Sequence, residues 1–283
     1  MAIKLIIDSA SDISQEEAKK LGIIMMPMPI TFGDEEFEDG VTLLPNQFYE
    51  KLIETNDIPK TSQITPFRFE EEFSKHVNNG DEVIAITISS KLSNTYNGAK
   101  QAAKKFEGKV FAVDSLNACI GERLLCLYAL QLIKENNLTV QEIVNELDDK
   151  KHKIHVLAMI NTLKYLKKGG RISAVTAFAG EMLSIKPVVG VIKGEVKVIG
   201  KAMGSKKANN LLNQLIEKTN GINFNMPFGT IWSGLDDTTL QKYIEDSKNL
   251  WDGKTNEIPR YILGATIGTH IGPGAAGVAF FEN

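Results

Sequence analysis

Along the chain, short apolar runs alternate with stretches whose apolar residues recur at helical spacing. IKLII (3 to 7), IIMMPMPITF (23 to 32), EVIAITIS (82 to 89) and KVFAVDS (109 to 115) read as strands, because short, nearly continuous apolar runs suit strands buried on both faces. Helices fill the gaps. Ser14 with Glu17 makes a capping box and Gly22 a C-terminal stop, and Thr139 with Glu142 repeats the start signal. Thr65-Pro66 is a cap followed by proline at the first helical position. Strands separated by helices predict βαβ units, a mostly parallel sheet and right-handed crossovers.

After about residue 152 the pattern changes. HKIHVLAMI precedes a Gly-Gly turn, and IKPVVGVIKGEVKVIGKAM places two β-rich runs around Lys193-Gly194-Glu195, a hairpin signal. FGTIWSG, IPRYILGATIG and AGVAFFEN read as further strands around one helical stretch from Asp236 to Leu250. The expected architecture is an N-terminal α/β domain over 1–154 with a mostly parallel sheet, and a C-terminal α+β domain over 155–283 with a mixed sheet.

A chain of 283 residues has length for about two domains and a large core. The net charge of -3 and pI near 5.9 provide no positive field for phosphate backbones, so nucleic acid is not expected as a partner. The first apolar run meets Asp8 too early for a secretory signal or a membrane span, and a cytoplasmic protein is expected. Cys119 and Cys126, in a helical pattern without metal-ligand companions, read as reduced core thiols.

In open α/β sheets ligands sit beyond the carboxyl ends of the strands. Asp8-Ser9 follow the first strand, Ser89-Ser90-Lys91-Leu92-Ser93 the third and Asp114-Ser115 the fourth. Asp8, Ser9, Asp114 and Ser115 are accounted for equally by helix capping. The Ser93 loop carries more hydroxyls than one cap requires, at the positive end of the next helix, an arrangement that suits an anion. Thr61 and Ser62 form a second cluster before the helix that Thr65 alone can cap. Near the C-terminus, Gly272, Gly274 and Gly277 match G-x-G-x-x-G. The chain ends six residues later, so these glycines are expected to shape a loop that places His270 rather than to bind a dinucleotide. His152-x-x-His155 lacks companion ligands, and no Walker A sequence is present. Neither metal nor cofactor is expected. Lys164 to Ser173 reads as a basic helix end, a glycine stop and an exposed Arg171.

These landmarks, Asp8-Ser9, KTSQ (60 to 63), ISSKLSNTY (88 to 96), VDS (113 to 115), LKKGGRIS (166 to 173), IKP (185 to 187) and THIGPGAAG (269 to 277), occur in an order that resembles the DegV family over essentially the whole chain. The resemblance implies a bacterial fatty-acid-binding protein, the lipid-carrying, non-catalytic subunit of a fatty acid kinase. It implies two α/β domains that enclose an acyl chain such as palmitate or oleate. The carboxylate would be held by Thr61 and Ser93, with Ser62, Asn94 and His270 in the same polar group. Arg171 would face the kinase subunit, an acyltransferase would accept the acyl phosphate, and transient membrane contact is compatible with such a carrier. This chain has Ile64 and Asn94 where the family usually has proline and glycine, and VIGKAMGSKKA lacks an Arg-Thr often found there. Ile120, Leu124, Ile160 and Met182 are the expected tail-lining residues, from their places beside the motifs.

The residue chemistry agrees with a lipid carrier. At ~0.8 kcal/mol per buried methylene, ten methylenes contribute about 8 kcal/mol gross, while an ionised carboxylate in a dry site needs several donors. The alternative is an acyl hydrolase in which His270 activates Ser93, with Asp8 or Asp114 as orienter. The sequence has no G-x-S-x-G elbow to favour it.

Overall fold

The computed structural model describes residues 2–55, 57–172 and 185–283. Three sheets are present among them. Strands β1 (Ile3–Asp8), β2 (Ile24–Met26), β6 (Glu82–Thr87) and β7 (Val110–Asp114) form an all-parallel sheet in the order β2-β1-β6-β7. Strands β3 (Pro29–Phe32), β4 (Glu35–Glu38) and β5 (Lys60–Thr61) form a small antiparallel sheet in the order β4-β3-β5. The mixed sheet runs β10-β9-β8-β13-β11-β12, from β8 (Ile154–Met159), β9 (Ile185–Ile192), β10 (Glu195–Met203), β11 (Phe228–Trp232), β12 (Arg260–Ile262) and β13 (Ala276–Phe281).

Helices α1 (Gln15–Leu21), α2 (Pro45–Glu54), α3 (Pro66–Val77), α4 (Thr95–Ala103), α5 (Ile120–Glu135) and α6 (Val140–Lys150) belong to the first half. In the second, α7 (Lys164–Lys168), α8 (Ser205–Glu217), α9 (Thr238–Asp246), α10 (Lys248–Trp251) and α11 (Ala265–Ile271) follow. Thr139 and Glu142 form the reciprocal capping box of α6, and Thr65 accepts from the Arg68 amide ahead of Pro66 in α3. The expected box at α1 is half made: Ser14 accepts from the Glu17 amide, but the Glu17 carboxylate turns to Arg123 instead. Lys193 and Gly194, at φ 53° and 84°, form the tight turn between β9 and β10, the left-handed pair that a two-residue hairpin needs.

Two expectations are corrected. The run 23–32 is two strands in different sheets, because Pro27, which has no N–H to give a ladder, stands between them. In IPRYILGATIG the strand stops at Ile262 and a helix starts at Ala265. His270 therefore lies in the last turn of α11, with Gly272 as its C-cap, not in an open glycine loop.

Side-chain alternation along β8 divides the core. Val156 and Ala158 join an apolar cluster with Ile7 and Ile86 of the parallel sheet, and Leu124 and Leu125 of α5 join it between the two sheets. Leu157 and Met159 face the other way, toward Leu212 and Ile216 of α8 and Leu240 and Tyr243 of α9. α5 approaches the mixed sheet closely: a Cβ at Gly121 would lie 2.4 Å from the Val156 side chain. A third cluster fills the space between the small sheet and α2, through Ile30, Phe32, Phe48, Tyr49 and Leu52.

Candidate functional site

Where the carboxyl edge of the parallel sheet meets the inner face of the mixed sheet, a cavity of about 210 Å³ remains. Ile88 lies just beyond β6 and Ala118–Cys119 just ahead of α5; Val156, Ala158, Val189, Val191 and Ile231 supply the opposite wall. Polar side chains collect at Thr61, Ser62, Ser93, Asn94, Arg171 and His270. The lining is otherwise mostly apolar, so the cavity is shaped for a molecule with a long apolar part and a polar end.

Thr61 is held by β5, where it pairs with Ile30, and Ser62 donates its backbone N–H to Pro29 O at 2.9 Å. Thr61 Oγ1 lies 3.0 Å from His270 Nε2. His270 Nδ1 has no partner among the described residues. Burial, and secondarily the nearby Arg171 charge, lower the His270 pKa to about 4, so the imidazole is neutral at pH 7 and has one donor and one acceptor nitrogen. Arg171 donates Nε to Leu92 O at 3.2 Å and Nη1 to Gly169 O at 2.6 Å, tying the segment after α7 to the Ser93 loop.

Ser93 Oγ lies 2.9 Å from Thr95 Oγ1 and accepts from the Thr95 amide at 3.3 Å. The Ile64 amide in turn donates to Thr95 Oγ1 at 3.3 Å. The two hydroxyl clusters are thus joined through Thr95. Their approach requires glycine on α4, since a Cβ at Gly98 would lie 2.8 Å from Ile64 O. Asn94 is exposed at the rim, its Oδ1 accepting from Asn97 Nδ2 at 2.6 Å, and Ser62 is likewise exposed. Thr61, Ser93 and His270 are half-buried around one space. A neutral imidazole, hydroxyls that can turn toward a ligand and a nearby guanidinium make a suitable anion seat.

Other polar residues singled out in the sequence are engaged internally. Asp8 Oδ1 and Oδ2 accept from the Ala10 and Ile88 amides at 2.9 and 2.8 Å, and burial raises its pKa to about 7. Asp114 accepts from the Ser90 and Leu116 amides. Ser115 donates to Asn117 O, and Ser9 donates to Asp39. Ser89 donates to Gly194 O at 2.8 Å, which fastens the β9–β10 turn to the first half of the chain. Ser89 therefore serves as a tie between elements, while Ser93 faces the cavity. His152 sits in the short 3-10 turn ahead of β8, and His155 pairs with Glu282. Both cysteines are free and buried, Cys119 at the cavity wall.

Of the expected tail-lining residues, Ile120, Leu124 and Ile160 are fully buried in the apolar core and are not among the residues that line this cavity; Met182 falls outside the described residues. Val189, Val191 and Ile231 were not anticipated. The alternation of the mixed-sheet strands is the signal that could have found them.

A family model described as "uncharacterised protein, DegV family" matches residues 2–283. The chain belongs to the DegV family. A DegV domain-containing protein of Caldanaerobacter subterraneus subsp. tengcongensis is 33% identical over 284 residues, covering 99% of each chain. Among solved structures, a DegV family protein of Thermus thermophilus described as binding fatty acid matches with a TM-score of 0.88 and 29% identity over 100% of both chains. DegV of Bacillus subtilis, described as a fatty acid binding protein, matches with 0.85 and 27%, again over 100% of both. The α/β architecture with one parallel and one mixed sheet is the one these DegV structures share. No described helix is long and apolar enough to cross a membrane.

Proposed function

We propose that this protein binds a long-chain fatty acid, palmitate or oleate in kind, and offers its carboxylate to a separate ATP-dependent kinase subunit that forms the acyl phosphate. The observation that carries the reading is the cavity itself: an apolar wall from both sheets, ending at Thr61, Ser93 and His270. The fatty acids bound by DegV relatives of Thermus thermophilus and Bacillus subtilis support it. Burial of the methylenes supplies most of the affinity, at ~0.8 kcal/mol each, and the hydroxyls orient the head group. Ser62 and Asn94 at the rim join Thr61, Ser93 and His270 around the carboxylate, Arg171 contacts the kinase, and an acyltransferase then consumes the acyl phosphate in the cytoplasm. We place the domain boundary at residues 154 and 155, so that the ligand would lie between two domains.

On this reading chemistry resides in the partner, because phosphoryl transfer needs positioning and charge stabilisation more than a protein nucleophile. The hydrolase alternative lacks an orienter: His270 Nδ1 meets no carboxylate among the described residues, while Asp8 and Asp114 are held by backbone amides. Native mass spectrometry of the purified protein, followed by denaturing extraction, tests the proposal. A co-purified fatty acid that is absent from a Thr61→Ala, Ser93→Ala double variant is the expected result. An empty protein that also refuses added palmitate and oleate overturns it.

A further inference from the structure

The Thr61–His270 contact is made between two pieces of backbone that the sequence keeps far apart. Thr61 sits on the small antiparallel sheet and His270 on α11, 209 residues later. α11 has only seven residues, and its N-cap, Gly264, has no side chain with which to satisfy the first amides. Those amides are met from elsewhere. Asp39 Oδ1 accepts from the Ala265 amide at 3.0 Å and Oδ2 from the Thr266 amide at 3.2 Å. Asp39 directly follows β4, in the same sheet that carries Thr61.

Asp39 is 1% exposed, and its own position is fixed by Ser9, which donates Oγ to Oδ2 at 2.9 Å while accepting from the Met28 amide at 3.1 Å. Asp12 Oδ1 accepts from the Gly264 amide at 2.7 Å. Lateral packing completes the junction: Tyr49 of α2 donates to Leu263 O at 2.9 Å, and a Cβ at Gly268 would lie 2.5 Å from the Phe48 ring. The small sheet, α2 and α11 are therefore keyed together, with one buried carboxylate spanning the join.

We infer that Asp39 is a positioning residue for the head-group site, setting the register of α11 against the Thr61 strand so that His270 meets Thr61. It touches no ligand; it acts through α11, which also carries the cavity residues Thr266, Ile267 and Ile271. The inference rests on the fatty-acid reading for its ligand, but its geometric half does not.

The test compares Asp39→Ala and Asp39→Asn with the parent protein, first without ligand and then with palmitate and hexadecanol, which share a chain and differ in the head group. By NMR of the ligand-free protein, the His270 imidazole signals are expected to move in Asp39→Ala and to stay close to the parent in Asp39→Asn, which keeps one acceptor oxygen. Palmitate affinity is expected to fall about tenfold in Asp39→Ala, while hexadecanol affinity changes by less than about twofold. Unmoved His270 signals, or equal losses for both lipids, overturn the inference. If Asp39→Ala does not fold, Ser9→Ala removes the brace on Asp39 alone, and the same ordering of lipids at smaller amplitude is expected; equal effects on both lipids again overturn it. If the parent protein itself binds neither lipid, the fatty-acid reading is overturned, and moved His270 signals in Asp39→Ala would still uphold the positioning role.

Discussion

Asp8, at the carboxyl end of β1, has both oxygens occupied by backbone amides at 2.9 and 2.8 Å, whereas His270, at the end of the cavity, has one ring nitrogen on Thr61 and the other without a partner among the described residues. Both regions gather acids, hydroxyls and helix ends near strand termini. At the edge of the parallel sheet many of these groups close on one another, Asp114 on Ser90 and Leu116, Ser115 on Asn117, Ser89 on the hairpin turn, while Asp12 Oδ2 and Thr87 Oγ1 have no partner among the described residues. Around the cavity end, Thr61 and Ser93 hold hydroxyls beside open space, where each can turn from its present partner toward a ligand, while His270 Nδ1 is packed against Gly169. Composition does not distinguish a polar cluster that builds a fold from one that can receive a ligand; a place on the cavity wall does.

The sharpest way to break that contrast is at Asp8. Asp8→Ala would orphan the Ala10 and Ile88 amides, at about 1–3 kcal/mol each, so urea unfolding at pH 7 should show a loss of roughly 2–5 kcal/mol. Lipid retained per folded molecule should change little. Unchanged stability would show that the sheet edge is not held as the hydrogen bonds suggest. Gly169→Ala inverts the expectation. Gly169 has φ −73° and ψ −11°, a conformation that alanine accepts, yet its Cβ would lie 2.2 Å from His270 Nδ1. Displacing the ring should weaken palmitate binding by tenfold or more, roughly, with little change in Tm; a protein that unfolds instead, or binds normally, would contradict the assignment of His270 to the ligand side.

Thr61→Val keeps the shape and removes the hydroxyl. The expected loss is about tenfold in palmitate affinity, the usual scale for one hydrogen bond to a charged group, with hexadecanol affected less. Equal effects on the two lipids would assign Thr61 to packing.

The strands β1, β6 and β7 and the Lys193-Gly194 hairpin are legible in the sequence because their signals are local: unbroken apolar runs and a turn dipeptide. α11 is not, because LGATIG has the composition of a strand and its amides are capped by Asp39, 226 residues away. The small sheet escapes for a similar reason: Thr61 follows a loop in sequence and becomes a strand residue only by pairing with Ile30. The cavity wall is illegible on energetic grounds. Ile120 is 0% exposed and lies outside the cavity lining, Ile231 is 1% exposed and lines it; hydrophobic burial selects both equally. Thr61, Ser93 and His270, which line the polar end of the cavity, stand out earlier because surplus hydroxyls and a glycine-flanked histidine are poorly explained by packing alone.

The smallest effect is expected from pH. His270 has a folded pKa near 4 against an ordinary 6.5, because burial and then Arg171 oppose its charge. Between these values the unfolded chain binds more protons than the native one, so this group's contribution to stability is fully present above pH 6.5 and is lost as pH falls toward 4. From pH 7 to 5.5 this group's own share of stability should fall by about 1 kcal/mol, read as the difference between the parent and His270→Gln curves. Asp8, raised to about 7, works in the opposite sense: its native form holds the proton more tightly, so its contribution diminishes as pH rises from about 4 through 7. His270→Gln removes the first contribution and leaves the buried carboxyls of Asp8, Asp12, Asp39 and Glu122, all raised by burial, so the variant should gain stability relative to the parent as pH falls from 7 to 5.5. A carboxylate bound beside His270 favours the imidazolium, so palmitate should raise the ring's titration point in an NMR pH series, and hexadecanol should not. If both lipids leave it near 4, the head group does not sit against this ring.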